Sequence, residues 1–291
     1  MQLILHTGAH YTEQDRLIKS MLRNAAQFRE RGIMIPGPGT YRKLVRDTLN
    51  AMHRAPAGPD ARAVLLDVIL DDDPADRVIL SDPNFFRTAG TAVRQGRLYP
   101  DAAARMRNMS EIFPDDEVEI FLAIRNPAAL LPVLHSVALE KSDTAFWGGR
   151  GPLDVKWSET LLAIRQAAPD IPITVWCNED MPLIWSQIIR EMAGVEHHEK
   201  IAGGFDLLAA IMSKEGMQRF RAYIDNHPGM SEMQKRRVIS AFLDKFALEE
   251  EIEEELDMPG WTDELVEQMT DIYDEDLLTI QRIPGVTVVA P

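Results

Sequence analysis

The chain is poor in cysteine and has no long run of apolar residues. Cys177 is the single cysteine among 291 residues, which excludes an internal disulfide. No apolar run approaches the roughly 20 residues that cross a bilayer, so we expect no membrane span. The N-terminus lacks the basic and then apolar pattern of a secretory signal, because polar residues follow residues 2–5 at once. These absences are typical of a protein of the reducing cytoplasm.

Basic residues are scarce relative to acidic ones. The chain has 31 Lys and Arg against 46 Asp and Glu, a formal net charge of −15. Such a charge argues against a nucleic-acid partner or an anionic membrane surface, although a small local pocket for an anion remains compatible with it. The acidic run at 249–255 is interpreted as a solvated helix face, with an acidic docking surface as the alternative.

Buried strands alternate with amphipathic helices along the first two thirds of the chain. This alternation predicts an α/β protein with three layers, α/β/α, and a mostly parallel sheet. The stretch at 36–39, Pro-Gly-Pro-Gly, is expected to be a loop that cannot be helical. Strands are predicted at 3–6, 33–35, 77–80, 118–124 and 171–176, and helices at 12–31, 42–52, 60–70, 99–109, 127–141 and from 157 onward.

The pattern changes after residue 203. Helices are predicted at 205–211, 217–226, 233–246 and 261–273, and a short β-prone tail follows at 285–289. We therefore expect an α/β core over residues 1–202. A helical C-terminal region over 203–291 is expected to pack on that core, and its tail is a candidate for a short final edge strand.

The first strand and turn are the most informative part of the sequence. The strand breaks at Gly8 and leads into a long amphipathic stretch, for which Thr12 is the predicted N-cap. The free N–H groups of such a helix end attract anions, phosphate above all. In a parallel sheet, ligands bind beyond the carboxyl ends of the strands. The residues that follow each strand are therefore the candidate site residues.

Several strand ends resemble, in the right order, the pattern of the sulfotransferase family. Residues 5–10, Leu-His-Thr-Gly-Ala-His, resemble the opening of its phosphosulfate loop. Residues 125–127, Arg-Asn-Pro, with Ser136 on the next helix, resemble its second signature. Residues 80–82, 98–101 and 176–180 resemble segments of bacterial members. The resemblance covers roughly residues 1–195 and implies a P-loop-like, sulfotransferase-like fold.

The resemblance implies 3′-phosphoadenosine 5′-phosphosulfate as donor and no metal. The sulfuryl group would pass to a hydroxyl or amine of a small-molecule or carbohydrate acceptor, and a base would take the acceptor's proton. Carried over to this sequence, the resemblance assigns the 5′-phosphosulfate to Gly8, Ala9, His10 and Thr12, the 3′-phosphate to Arg125 and Ser136, and the role of base to His10 or Glu13.

The loop also departs from the family pattern. Tyr11 stands where a cation is usual, Glu13 replaces the second glycine, and Gln14 and Asp15 replace two hydroxyl residues. Two carboxylates beside an anion site would repel the donor. The alternative function is therefore a non-catalytic binding or interaction protein that keeps the fold and has lost the donor loop. A P-loop NTPase is disfavoured because the turn lacks the Gly-Lys-Ser/Thr ending.

Most candidates also have a purely structural interpretation. His10 can be a hydrogen-bonded histidine, Glu13 an acid that favours a helix start, and Arg125 a partner in an ion pair with a residue such as Asp82. Ser136 can lie on a polar helix face. For the pair at 197–198, His-His, an exposed turn is expected rather than a metal site, and for Cys177 an inert buried thiol.

Overall fold

Six parallel strands form the central sheet in the computed structural model, which describes residues 1–138, 142–252 and 258–291. The strand order is β2-β3-β1-β6-β7-β8, and a separate two-stranded antiparallel hairpin, β4-β5, lies outside it. The eight strands are β1 (Gln2–His6), β2 (Ile33–Met34), β3 (Arg77–Ser81), β4 (Val93–Arg94), β5 (Arg97–Leu98), β6 (Glu117–Ile124), β7 (Ile173–Cys177) and β8 (Val286–Val289).

Helices cover both faces of this sheet, which confirms the predicted α/β class and parallel sheet. Those of the first half are α1 (Arg16–Leu22), α2 (Ala25–Arg29), α3 (Pro38–Ala51), α4 (Ala61–Leu70), α5 (Ala102–Ile112) and α6 (Pro127–Ser136). The later ones are α7 (Asp143–Trp147), α8 (Trp157–Ala167), α9 (Met181–Ala193), α10 (Asp206–Ile211), α11 (Lys214–Asn226), α12 (Glu232–Phe246), α13 (Glu249–Ile252) and α14 (Asp263–Ile280).

Two hydrophobic clusters fill the space between the sheet and its helices. Alternate residues of β1 point to opposite faces, as strand geometry requires, so Leu3 and Leu5 join one cluster and Ile4 the other. Helices α3, α5, α6, α8 and α14 pack in the first cluster, and α1, α9, α10, α11 and α12 in the second. Residues of the stretch 203–291 therefore pack on both faces of the sheet.

The first helix starts later than the sequence predicts. Thr12 is not its N-cap; the Thr12 hydroxyl donates to the carbonyl of Ala9 (2.8 Å), and α1 begins only at Arg16. Tyr11, Gln14 and Asp15 all have positive φ, between 51° and 63°, which a helix cannot contain. The expected single helix to residue 31 is also divided, because α1 ends at Leu22 and α2 begins at Ala25.

The prediction of a loop at 36–39 was partly wrong. Pro38 and Gly39 form the first turn of α3, with Gly37 as the extended N-cap residue. Proline fits the first helical position because the N–H it lacks would have no partner there.

The C-terminal tail is an edge strand, as proposed from its composition. β8 pairs in parallel with β7 and becomes the sixth strand. The described part of the acidic run, 249–252, is a short exposed helix, which agrees with a solvated face. The helix predicted at 127–141 was too long, because α6 ends at Ser136 and residues 137–138 are not helical. Its last predicted residues, 139–141, and the rest of the acidic run, 253–255, lie outside the described residues.

Candidate active site

A cavity of about 930 Å³ opens at the carboxyl ends of β1, β6 and β7. Strands β1 and β6 are neighbours, but the chain leaves β1 toward β2 and β6 toward β7, on opposite sides. This is the topological switch point at which open α/β sheets bind ligands. We call this cavity the crevice.

The residues that line the crevice include both polar and apolar groups. Thr12, Gln14 and Arg16 come from the loop after β1, and Asn126 and Asn178 follow β6 and β7. A cavity with a few polar groups and many apolar ones suits an organic ligand with one polar end. The apolar lining residues are Ala128, Ala129, Val133, Met181, Pro182, Leu207, Ile211, Ile252 and Val266.

The turn after β1 uses several of its amides within the fold. Gly8 has a φ of 47°, a conformation that glycine adopts without strain. The N–H of Thr7 donates to the carbonyl of Phe121 (3.0 Å), and that of Ala9 donates to the carbonyl of Ala123 (3.1 Å). Because β6 takes both amides, neither points freely at a ligand above the turn.

His10 is held in a chain of hydrogen bonds. Its backbone N–H donates to the Tyr99 hydroxyl (2.9 Å), and this hydroxyl lies 2.8 Å from the ring Nδ1. The ring Nε2 lies 3.2 Å from Asn84 Oδ1. The Tyr99 hydroxyl can accept the amide proton of His10 and donate its own proton to Nδ1. The ring Nε2 then donates to Asn84. All these polar atoms have partners when the imidazole is neutral. Burial lowers the pKa of His10 in agreement with this.

Glu13 occupies the start of α1. Its side chain is buried, and Oε2 accepts the N–H of Leu17 at 2.7 Å. The carbonyl of Glu13 accepts the next free amide, that of Arg16 (2.9 Å). Burial raises the pKa of Glu13 to about 7, while the bond from Leu17 opposes this rise. The protein's own carboxylate therefore takes the place at the helix end where an external anion was expected.

Arg42 neutralises the second carboxylate of the loop. Its Nη1 and Nη2 donate to the two oxygens of Asp15 (3.1 and 2.6 Å), and its Nε donates to the carbonyl of Ser81 (2.8 Å). This pairing lowers the pKa of Asp15. Arg42 thus joins the loop to the end of β3.

Arg125 is buried at the end of β6 and lines the crevice. Its Nη1 donates to the carbonyl of Tyr11 at 2.6 Å, so the guanidinium holds the loop after β1 against β6. Ser136 lies at the exposed end of α6, where its hydroxyl donates to the carbonyl of Val133 (2.8 Å).

The predicted site residues are thus divided in space. Thr12 and Arg125 line the crevice together. The other candidates are not among the residues that line it: Gly8, Ala9, His10, Glu13 and Ser136. The roles that the family resemblance assigns to them, in binding the phosphosulfate donor and as the base, stay predictions.

Sequence reasoning underrated two residues of the crevice. Arg16 is half-exposed and lines it, but in the sequence it is only one of several cations near the turn. Glu179 also lines it; its two oxygens accept the Asn126 N–H (2.8 Å) and the Tyr273 O–H (3.3 Å). The position of Glu179 directly after a predicted strand was the signal that could have found it.

Neither the scan against protein-family models nor the search of curated proteins finds a match for this chain. The likeness to sulfotransferases therefore rests on the strand-end motifs alone. None of the described helices combines the length and hydrophobicity that a membrane-spanning segment requires.

The two remaining sequence candidates lie elsewhere. Cys177 is buried, and burial raises its thiol pKa to about 11, which agrees with an inert thiol. His197 and His198 lie in an exposed turn, as expected, and their ring nitrogens come within 4.8 Å of each other and of a carboxylate oxygen of Glu196.

One segment that contributes to the crevice is strongly acidic. The segment 249–276 holds 14 acidic residues and no Lys or Arg, and ten of the 14 fall in its described parts, 249–252 and 258–276. Three of its residues, Glu251, Ile252 and Val266, line the crevice. An approaching polyanion therefore meets a repulsive field on this side, although two arginines lie within.

Proposed function

We propose that the chain is a non-catalytic binding protein of sulfotransferase-like architecture, whose crevice holds an organic anion with an apolar body. The observation that carries this proposal is that the protein's own side chains already bind amides of the loop after β1 and of the start of α1, where the donor would have to bind. The Glu13 carboxylate takes the Leu17 amide, and the Tyr99 hydroxyl takes the His10 amide. A phosphosulfate bound there would have to displace two buried groups and leave them without partners, which is costly.

The crevice supports the choice of ligand. Arg16 and Arg125 supply positive charge to the lining of the crevice, and a guanidinium binds carboxylate, sulfate or phosphate groups through its planar set of donors. Residues such as Val133, Leu207 and Val266 offer an apolar surface to the rest of the ligand. The acidic segment 249–276 favours one anionic group over several, because repulsion grows with the ligand's charge.

A second candidate is sulfuryl transfer from 3′-phosphoadenosine 5′-phosphosulfate, as the family resemblance implies. The specific observation in its favour is that Arg16, Arg125 and Thr12 line one cavity at the ends of β1 and β6. In this case Arg16 would replace the cation that Tyr11 displaced from the loop.

Calorimetric titration with two probes separates these candidates. Phenyl sulfate represents an organic monoanion, and adenosine 3′,5′-bisphosphate is the product of the family's donor. We expect phenyl sulfate to bind and Arg16→Ala to weaken it by about tenfold or more, because a charge-assisted hydrogen bond is lost. Lys19→Ala is the matched control, since Lys19 is an exposed cation of α1 that is not among the crevice residues.

The bisphosphate decides the catalytic question. The binding proposal expects no heat of binding at millimolar bisphosphate. Binding that Arg125→Ala removes would instead favour the transferase. Equal affinity of phenyl sulfate for the native chain and Arg16→Ala would refute the crevice as the site, and failure of both probes would contradict both candidates.

A further inference from the structure

Two arginines between α3 and the start of α5 have buried N–H groups to which the described residues offer no acceptor. Arg105, on α5, is only 6% exposed, and its Nη2 donates to Asn50 Oδ1 on α3 (2.7 Å). The Nε and Nη1 of Arg105, and the Nε of Arg87, are buried and have no hydrogen-bond partner within the described ranges. Arg87 is held nearby, because its Nη2 pairs with Asp101 Oδ2 at the start of α5 (2.6 Å).

Buried guanidinium donors of this kind need an explanation. The great majority of buried polar groups in native proteins have a partner, and an unmatched donor on a charged group is among the most costly to bury. Each of these N–H groups is removed from bulk water without gaining an acceptor from the part of the chain that the structure describes. An acceptor from a bound ligand would remove this cost.

Positive charge exceeds negative charge around these arginines. Arg46, on α3, and Arg87 both act to lower the pKa of Arg105, while Asp101 and Asp82 act to raise it, and burial has the largest effect, a lowering. Asp101 is already paired with Arg87, and Asp82 accepts the N–H of Asn84 (2.9 Å). Three guanidinium groups thus face two carboxylates that are partly engaged, which leaves room for one more negative charge.

We propose that Arg105 and Arg87 form a binding site for an oxyanion, sulfate or phosphate, either free or as one group of a larger molecule. An oxyanion supplies several acceptor oxygens, which matches the several vacant guanidinium donors. The Arg87 side chain is 20% exposed and Arg46 is half-exposed, so solvent reaches these two neighbours of Arg105. The site is distinct from the crevice, and its residues are absent from the crevice wall, so it does not depend on the proposed function.

Substitution of Arg105 tests the site through stability. In chloride buffer, Arg105→Met removes vacant buried donors, so we expect it to unfold at the same temperature as the native chain or higher. Arg77→Met is the matched control: Arg77 is half-buried, but all its nitrogens donate to acceptors, the carbonyls of Met192 and Glu191 and Gln2 Oε1. We expect the control to unfold at a lower temperature, because those acceptors lose their donors.

Anion dependence gives the second readout. At constant ionic strength, replacing chloride by phosphate should raise the unfolding temperature of the native chain and of Arg77→Met, and raise it less in Arg105→Met. The difference between variants cancels the general stabilisation that phosphate gives to proteins. Titration should show binding at least about tenfold weaker in Arg105→Met. Should Arg105→Met fail to fold, Arg87→Gln, at a more exposed position, is expected to show the same loss.

A crystal soaked in selenate locates the ion directly. We expect an anomalous peak within hydrogen-bond distance of Arg105 Nε or Nη1. An ordered water at those atoms with no peak, or an equal response of all variants to phosphate, would overturn the proposal. Comparison of inorganic phosphate with phenyl phosphate then separates the two sources of the anion, because tighter binding of the ester indicates a group of a larger molecule and tighter binding of the inorganic ion a site for the free anion.

Discussion

At the scale of single residues, Glu13 decides what the first turn can bind. Its carboxylate is buried and accepts the amide of Leu17, the kind of contact that a bound phosphate would make. Because Glu13 is part of the loop itself, its carboxylate is always present at the Leu17 amide. An external anion must therefore compete with it and also leave a buried carboxylate unpaired.

The raised pKa of Glu13 has a measurable consequence. Its pKa is about 7 in the folded chain against 4.5 for an ordinary glutamate, so the folded state holds the proton over the range between these values and the unfolded state does not. The free energy of unfolding that depends on Glu13 therefore falls as the pH rises from about 4.5 to 7. Glu13→Gln keeps an oxygen acceptor for Leu17 but cannot ionise. We expect it to gain stability relative to the native chain between pH 5 and pH 8, by at most about 3 kcal/mol.

Denaturant unfolding at several pH values measures this gain. The free energy of unfolding of Glu13→Gln must be compared with that of the native chain at each pH, because the titration of His6 changes stability with pH in the opposite direction. Burial lowers the pKa of His6 to about 4, so its contribution to stability is present above pH 6.5 and is lost as the pH falls toward 4. A difference between Glu13→Gln and the native chain that stays constant from pH 5 to pH 8 would show that Glu13 is already ionised at pH 5.

At the scale of elements, the six strands of the central sheet were predictable, whereas the hairpin β4-β5 and the loop after β1 were not. Runs such as 118–124 are apolar except for Glu119, as a strand largely buried on both faces requires, and they fall where β6 and its neighbours lie. The start of α1 was missed because Tyr11, Gln14 and Asp15 adopt positive φ, a conformation that these residue types do not predict. The arginine site was not predictable at all, since Arg87 and Arg105 meet only through the packing of α5.

Two helical glycines differ in the space around them. A Cβ on Gly216, in α11, would lie 2.3 Å from the Cβ of Phe246, at the end of α12. A Cβ on Gly39, in the first turn of α3, would meet nothing within 4 Å. Replacing glycine by alanine in a helix normally stabilises by up to about 1 kcal/mol. We expect that gain for Gly39→Ala and a loss of about 1–3 kcal/mol for Gly216→Ala, because α11 and α12 must move apart.

Chemical denaturation of both variants checks this pair. The two substitutions are identical in chemistry and differ only in their surroundings, so each serves as the other's control. A gain of stability in Gly216→Ala would mean that α12 adapts to the new methyl group at little cost, contrary to the close packing of the two helices.

At the scale of the whole molecule, charge is strongly segregated. The segment 249–276 holds 14 of the 46 acidic residues and none of the 31 basic ones, so the rest of the chain is close to neutral. The net charge of −15 therefore reflects one segment of the chain rather than the chain as a whole. The sequence contained this information, but a single net charge concealed it. It is also why an overall acidic balance did not exclude the arginine-rich region between α3 and α5.

This segregation predicts how stability responds to salt. Glu267 and Asp271 are exposed on α14, four residues apart, and like charges at this spacing destabilise a helix. We expect the double variant Glu267→Gln, Asp271→Asn to be more stable than the native chain by about 0.5–1 kcal/mol at 10 mM salt, because it also relieves repulsion from the rest of the segment. The gain should disappear near 1 M salt, where the screening length falls to about 3 Å.

The control variant Glu30→Gln, Asp170→Asn removes the same charge from outside the segment, and we expect it to change stability by less than about 0.5 kcal/mol at either salt concentration. Equal gains in both variants would mean that total charge matters, and not its concentration in the segment 249–276.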